Sequence, residues 1–531
     1  MKKMICRPAM RDGVKLLTWV ELPGDGTGKY PAILSRNPYA PAPAADVPEV
    51  QENLPESYAA QNGFARVDQN CRGKGGSEGD FVPFHDERAD GLDTIAWIEQ
   101  QPWFDGRIYL TGGSYLGFVQ LAMYEVLPPS VKGAFTAVMA DDGRYTFFRN
   151  GVFKADLGPI WFPGVYHYQD LIYGSAHGSY DAEWDKNPMS TYMRRIYGYD
   201  VPAFNNIWYL RNDPMAMPDY FSQAFNCMTK LHTPMLMVTG WSEPFFSGTW
   251  RMWDKIPAGI KSSCAFVVGP WSHGCAVDPT WSYPFENGNQ PRDLEMQWFL
   301  YLRDGKPMDN GVRLGAVNYY HVGKAAWECA DAFPDEAQTK KLYLVDGGKL
   351  TDCAPADGSV TYRYDPLDPA RFPGGPNSFD HTPNGFADQP EPNFRPDVKT
   401  FMTAPLTQDL TLAGKIAASF EVSTTAQATM FLIRVCCVQE NGVATPMGDC
   451  PTELNPAAAG EKTTITFETD PLCWTLHKGE RLRVDVMSSD AHSYRPHTNT
   501  RAEWLTAVET VVADNTVWFG NSVLSLPVRR G

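Results

Sequence analysis

Ser114, in the stretch "IYLTGGSYLGF" (residues 108–118), lies between an apolar strand-like run and a helix-like one, with two glycines just before it. A serine on such a turn can act as a nucleophile if a base and an acid are brought to it. The usual spacing is G-x-S-x-G, and this stretch departs from it. Gly112 is in place, but Leu116 stands where the second glycine belongs, and Gly117 follows one residue late. Small residues before the serine permit the sharp turn, and Gly117 on the first helical turn would let the helix approach a sheet. The competing reading is a structural or phosphate-cradling turn, although a Walker lysine is missing. On pattern alone the two readings weigh equally.

A nucleophilic serine needs a general base oriented by a carboxylate. In an α/β-hydrolase sheet the chain order is Ser, then Asp or Glu, then His, each just after a strand. That order sorts the ten histidines. His85 precedes the serine, His167 and His177 fall in an aromatic-rich stretch, and His232 comes before a strand. His321, His381, His477, His492 and His497 belong to a β-rich half. Only His273 directly follows a candidate sheet strand, in "CAFVVGPWSHG". The carboxylate expected after the preceding strand is Glu243, in "MLMVTGWSEPF", where no Asp occurs between Met235 and Trp253. Asp254 and Asp278 are weaker rivals because neither ends a strand, and a surface position is the ordinary fate of a glutamate. The expected oxyanion donors are the backbone N–H of Tyr115 and, from "LSRNPYAP", the phenol of Tyr39, since that loop lacks HGGG-type glycines.

The elements that must position these residues are legible as a rhythm. Strand and helix signals alternate over residues 1–140 and resume over 232–308, which implies a mostly parallel sheet covered on both faces. "RDG" reads as a hairpin turn, "DERADGLDTIAWIEQQ" as a helix, "YLGFVQLAMYEVL" as another, and "QPRDLEMQWFLYLRDG" as a third that ends at Gly-Lys-Pro. Residues 141–231 break the rhythm and are crowded with aromatics, as expected of a helical cap. From 309 to 531 short alternating strands, beginning with "RLGAVNYYHV", predict an all-β sandwich or jelly roll. The polar stretch from about Asp365 to Pro396 reads as a structured loop or interdomain packing segment. The fold class expected is therefore an α/β-hydrolase core with an aromatic cap and a C-terminal jelly roll.

At 531 residues the chain is too long for one core. The net charge of −16 disfavours nucleic acid and anionic membrane as partners, and neither is expected. No transmembrane run and no secretory leader are expected. Eleven cysteines without a CxxC read as reduced thiols in a cytoplasmic protein. The nearest metal-like pair is His273 with Cys275, and neither a metal nor an organic cofactor is called for. The cap aromatics Phe148 and Trp161, with Trp241, Phe245, Phe246 and Trp271, are candidate walls of a substrate pocket, with core packing as the competing role.

"RDGVKL", "RNPY", "RGKGGSEGDF", "GGSYLGF", "GWSE" and "VVGPWSHG" occur in that order. The sequence resembles the family of cocaine esterase, glutaryl-cephalosporin acylases, α-amino acid ester hydrolases and X-prolyl dipeptidyl peptidases. The family's elbow is G-x-S-Y-x-G, which accounts for the displaced glycine. The resemblance implies Ser114 as nucleophile, His273 as base and the Tyr39 phenol as side-chain oxyanion donor. "DVKTFMTAPLTQDLTLAGKIAASFEVST" and "RLRVDVMSSDAHSYRPHTNT" resemble the family's jelly-roll domain. Two departures bear on function. Where the family usually has G-W-x-D this chain has "GWSE", so Glu243 would serve as the acid. The amino acid ester hydrolases place further carboxylates after that acid to hold an ammonium, whereas here Pro244, Phe245 and Phe246 follow. An uncharged, apolar ester or amide substrate is therefore expected. The alternatives are an X-Pro dipeptidyl peptidase using Asp141, Asp142 or Asp156 for the ammonium, and a non-catalytic carbohydrate binder. Family members often self-associate, so a homo-oligomer is expected to be possible.

Overall fold

The computed structural model describes residues 2–39, 57–154, 157–166, 186–211, 224, 226–333, 337–355, 357–376 and 384–530. His167, His177, His381 and Asp156 lie outside the described residues. Twelve strands are found before residue 331: β1 (Lys2–Cys6), β2 (Thr18–Leu22), β3 (Tyr30–Asn37), β4 (Ala65–Asn70), β5 (Phe104–Gly113), β6 (Val131–Ala137), β7 (Phe148–Arg149), β8 (Val152–Phe153), β9 (Met235–Gly240), β10 (Ala265–Gly269), β11 (Val317–His321) and β12 (Ala326–Ala330). All except the small β7–β8 hairpin form one ten-stranded sheet in the order β1-β2-β4-β3-β5-β6-β9-β10-β11-β12. Every pairing from β4 to β11 is parallel, and the outer ones are antiparallel.

Parallel strands must be covered on both faces, so their residues are apolar in both directions. In β5, Ile108 and Leu110 join one core while Tyr109 joins the other, and in β10 Phe266 and Val268 oppose Ala265 and Val267. Helices α1 (Glu87–Glu99), α2 (Tyr115–Leu121) and α4 (Phe246–Lys255) contribute to the first core. Helix α5 (Leu294–Asp304) lays Trp298 and Phe299 on the second, and ends at left-handed Gly305. The helix expected after the serine is shorter than its apolar run: α2 stops at Leu121, and the chain continues in turns toward Pro128–Pro129.

Between β6 and β9 the described residues form short helices, among them α3 (Leu157–Tyr166), and the β7–β8 hairpin. Their aromatics, including Phe147, Phe153, Trp161, Phe162 and Phe204, are continuous with the first core.

A second ten-stranded sheet spans Ala337 to Arg529, all but one of its pairings antiparallel, around a core of its own. Sheet membership crosses the boundary expected near residue 309. "RLGAVNYYHV" supplies β11, which runs parallel to β10 with Val317 to Tyr319 opposite Phe266 to Val268, so β11 and β12 complete the first sheet. A short apolar strand does not say which sheet edge it will join. In the described part of the polar stretch after Asp365, the Asn384 carbonyl accepts the Trp281 indole N–H and Phe386 meets the Trp281 ring edge to face within the second core. No described helix is long and apolar enough to cross a membrane.

Candidate active site

Ser114 stands where β5 ends and α2 begins, at φ 55° and ψ −129°. A positive φ at a residue with a Cβ is strained and persists only where the surroundings impose it. Here the imposition is steric and hydrogen-bonded. The Ser114 N–H donates to the Ala137 carbonyl of β6 at 2.9 Å, and its carbonyl accepts from Gly117 and Phe118. A Cβ at Gly112 would lie 2.6 Å from the Leu116 backbone oxygen, and one at Gly117 2.8 Å from Thr136 Oγ1. Both glycines are therefore required by close approach, Gly117 between helix and sheet and Gly112 under the first helical turn.

The loops after β9 and β10 bring Glu243 and His273 together. Gly240, the last residue of β9, has room for no side chain, since a Cβ there would meet the Trp271 carbonyl at 2.1 Å. Across that contact Trp241 N–H donates to the Gly269 carbonyl and Ser242 N–H to that of Trp271. Glu243 is buried at 1% exposure. Its Oε1 lies 2.8 Å from His273 Nδ1, while Oε2 accepts from the Phe245 N–H at 2.8 Å and the Thr239 hydroxyl at 3.4 Å. His273 Nε2 in turn lies 3.2 Å from Ser114 Oγ. The longer glutamate is thus accommodated, with both carboxylate oxygens partnered. Of its rivals, Asp254 is exposed on α4, and Asp278 accepts from the Thr280 N–H and hydroxyl in its own turn.

On the other side of Ser114, the Tyr39 phenol oxygen is 3.3 Å from Ser114 Oγ. It accepts from the Tyr115 N–H at 3.4 Å and from the Trp161 indole N–H at 3.3 Å. With both acceptor positions of the phenol engaged, its own proton is left to point toward Ser114. Burial pushes the Tyr39 phenol above its usual pKa, so it stays a proton donor.

A narrow apolar cavity opens beside Ser114, walled by Phe84, Tyr115, Met139, Phe147, Trp161 and Phe245. Of the six aromatics expected at a pocket, only Phe245 and Trp161 are there. Of the others, Trp271, Phe246 and Phe148 are corrected to core roles, and Trp241 to the wall of a different cavity. Trp271 is fully buried against Trp327 with its N–H on the Gly288 carbonyl, and Phe246 packs on Trp241 and Trp250. Trp241 donates to the Tyr320 carbonyl of β11, and Phe148 meets Phe153 and Trp208 edge to face in the cap. Phe84, Met139 and Phe147 were missed because nothing local marks a core-like residue as facing a cavity.

Asp141 and Asp142, the expected ammonium ligands of a peptidase, are already neutralised. Asp141 pairs with Lys255 at 3.0 Å, and Asp142 caps the Gly143–Phe147 helix and pairs with Arg144 at 2.7 Å. Among the described residues, the grouping spaced for a metal ion is His321, Glu328 and Cys473, at the junction of β11 with the second sheet. There His321 is held by Glu328 and Thr475, and Glu328 by Arg529.

Residues 12–275 match the family described as X-Pro dipeptidyl-peptidase (S15 family), and residues 310–522 match the X-Pro dipeptidyl-peptidase C-terminal non-catalytic domain. The cocaine esterase of Rhodococcus sp. (strain MB1 Bresler) is 28% identical over 549 aligned residues, covering 92% of this chain and 91% of that protein. Among solved structures, an aminopeptidase from the marine sediment archaeon Thaumarchaeota archaeon superposes with a TM-score of 0.82 at 22% identity. An α-amino acid ester hydrolase does so with a TM-score of 0.79 at 23% identity. Each alignment covers 99% of this chain and 96% of the other, and at these identities the likeness is one of fold.

Proposed function

We propose, for a chain that belongs to the S15 family of serine hydrolases, that it cleaves esters or amides of small apolar acyl groups through an acyl-enzyme on Ser114. The observation that carries this is the unbroken contact from the buried Glu243 carboxylate through the His273 ring to the Ser114 hydroxyl.

In this reading His273 Nε2 takes the hydroxyl proton as Ser114 Oγ forms a bond to the substrate carbonyl carbon. Glu243 holds the ring in the required tautomer and stabilises its charged form. The developing oxyanion is met by the Tyr39 phenol and the Tyr115 N–H, both turned from their resting contacts onto the substrate oxygen. His273 then gives its proton to the leaving group as the acyl–oxygen or acyl–nitrogen bond breaks. Water, deprotonated by the same ring, returns the carboxylic acid and the free serine. The apolar cavity beside Ser114 favours an uncharged acyl group, because a carboxylate or ammonium would lose its hydration there without gaining a partner.

Paired assays on p-nitrophenyl butyrate and Ala-Pro-p-nitroanilide test the class of substrate. Turnover of the ester is expected, and it should fall by a factor of order 10⁶ in kcat in Ser114→Ala. Turnover of the anilide alone would establish the dipeptidyl peptidase instead. Ester hydrolysis that survives the substitution would remove Ser114 from the reaction.

A further inference from the structure

The backbone of Tyr115 faces Tyr39, but its side chain runs the other way, into a buried polar cluster that the mechanism above leaves unused. Arg36 and Glu87 form an ion pair at 2.9 Å with side-chain exposures of 1% and 5%. Arg36 is further held by the Glu87 carbonyl at 3.0 Å and by Gln69 Oε1 at 2.9 Å. The pair occupies Glu87 Oε2, and the Tyr115 hydroxyl donates to Oε1 at 3.2 Å. The same hydroxyl oxygen accepts the backbone N–H of Phe84 at 2.6 Å. A phenol has one proton and two acceptor positions. Directing the proton at a carboxylate fixes where the remaining lone pairs point, and Phe84 meets one of them.

Phe84 is no ordinary residue. It holds a left-handed φ of 70°, is almost fully buried, and turns its ring onto Trp161 at 5.4 Å between centroids. That ring forms a wall of the cavity at Ser114. A bulky side chain keeps a left-handed backbone only where its neighbours over-determine it. The Tyr115 ring, 5.2 Å from that of Phe84 and 5.4 Å from that of Trp161, closes the same cluster.

We propose that Glu87 and the Tyr115 hydroxyl are positioning residues that set acyl-chain selectivity, by pinning the Phe84 backbone so that its ring closes the pocket beside the nucleophile. The inference rests on the serine-hydrolase reading for its kinetic consequence, while its structural consequence stands alone. Tyr115→Phe removes both hydrogen bonds and leaves the oxyanion N–H intact. Released from the hydroxyl, Phe84 should relax to ordinary backbone angles and the pocket should widen.

The experiment compares kcat/KM for p-nitrophenyl hexanoate and acetate in Tyr115→Phe and in the unmodified protein, with a crystal structure of the variant. The expected result is a shift of the ratio toward hexanoate by about ten-fold, the scale on which a hydrophobic pocket discriminates methylenes, and a Phe84 φ that is no longer positive. An unchanged ratio, or a Phe84 that keeps its left-handed φ, overturns the proposal. Phe84→Gly, which takes the left-handed backbone without a ring, covers the case of a Tyr115 variant that does not fold. It should shift the ratio in the same direction, and a ratio that stays put counts against the proposal. If ester turnover survives Ser114→Ala the hydrolase reading has failed, and the Phe84 backbone in the crystal still judges this one.

Discussion

The residues around Ser114 differ in how much chemistry they are asked to supply. Tyr39→Phe removes one of the two proposed oxyanion donors and should lower kcat about 10²–10³-fold with the fold unchanged. An unchanged rate would move that role elsewhere. Because burial raises the Tyr39 pKa, the unmodified protein should show no alkaline loss of rate from this phenol up to about pH 10. Glu243→Gln should cut kcat by orders of magnitude by failing to orient the imidazole, while Asp254→Asn and Asp278→Asn should leave it near normal. Equal losses in all three would make the acid assignment untenable. Cys275, two residues beyond His273, has its thiol pushed up to about 12 by burial and by Glu243. Iodoacetamide at pH 8 should therefore spare Cys275 and activity, and modify the exposed Cys329 and Cys353; inactivation with label on Cys275 would refute this. The placements of Ser114, Glu243 and His273 were legible because each follows an apolar strand, and strand ends are visible in a sequence. The role of the Tyr115 side chain was not, since its partners Glu87 and Phe84 come from a different strand-to-helix connection.

Among the elements, the turn from β5 to α2 bears the strictest demands. A side chain at Gly112 collides with the backbone of Leu116, which cannot move without displacing α2. Gly112→Ala should thus cost about 1–3 kcal/mol of stability and most of the activity, measured by denaturant unfolding and ester turnover. A variant of ordinary stability and rate would show the turn to be adaptable. A pH effect belongs to the contact between the glycine-rich loop and the cap. Lys74 donates to the Val165 carbonyl of α3 and sits 4.7 Å from the Phe81 ring centroid. Burial lowers its pKa to about 8. Between there and the unfolded value near 10.4 the unfolded chain binds more protons than the folded one, so this group's contribution to stability rises with pH. The penalty is fully present below pH 8 and is relieved, by up to about 3 kcal/mol, on the way to pH 10. Lys74→Met should gain in Tm relative to the unmodified protein most at pH 7 and least at pH 10, and a constant difference would contradict the assignment. The alternation of strand and helix was readable from apolar periodicity, but sheet membership was not. β11 looks like any short β-domain strand, and only its register against β10 assigns it to the first sheet. The 17-residue strand Ala513–Arg529, which pairs with three others, is hidden in the sequence because turn-forming residues such as Asp514, Asn515 and Gly520 interrupt it.

For the molecule as a whole, the cap, the first sheet's helices and the second sheet meet at one polar point. Arg149 of the β7–β8 hairpin pairs with Asp470 at 2.6 Å, and Ser247 of α4 donates to the same carboxylate. α4 begins three residues after Glu243, so the second sheet touches the helix that follows this glutamate. Removing Asp470 by Asp470→Ala leaves the half-buried Arg149 without its carboxylate, which should cost roughly 1–3 kcal/mol and separate the unfolding of the two sheets in calorimetry. A single transition at an unchanged Tm would show that this point does not couple them. Covalent labelling tests the assignment of Ser114 as the nucleophile of a serine hydrolase. A fluorophosphonate incubated with the protein, followed by proteolysis and mass spectrometry, should place one phosphonyl group on Ser114, with ester turnover lost in proportion to labelling. Full turnover in an unlabelled protein, or label on any other residue, would contradict it.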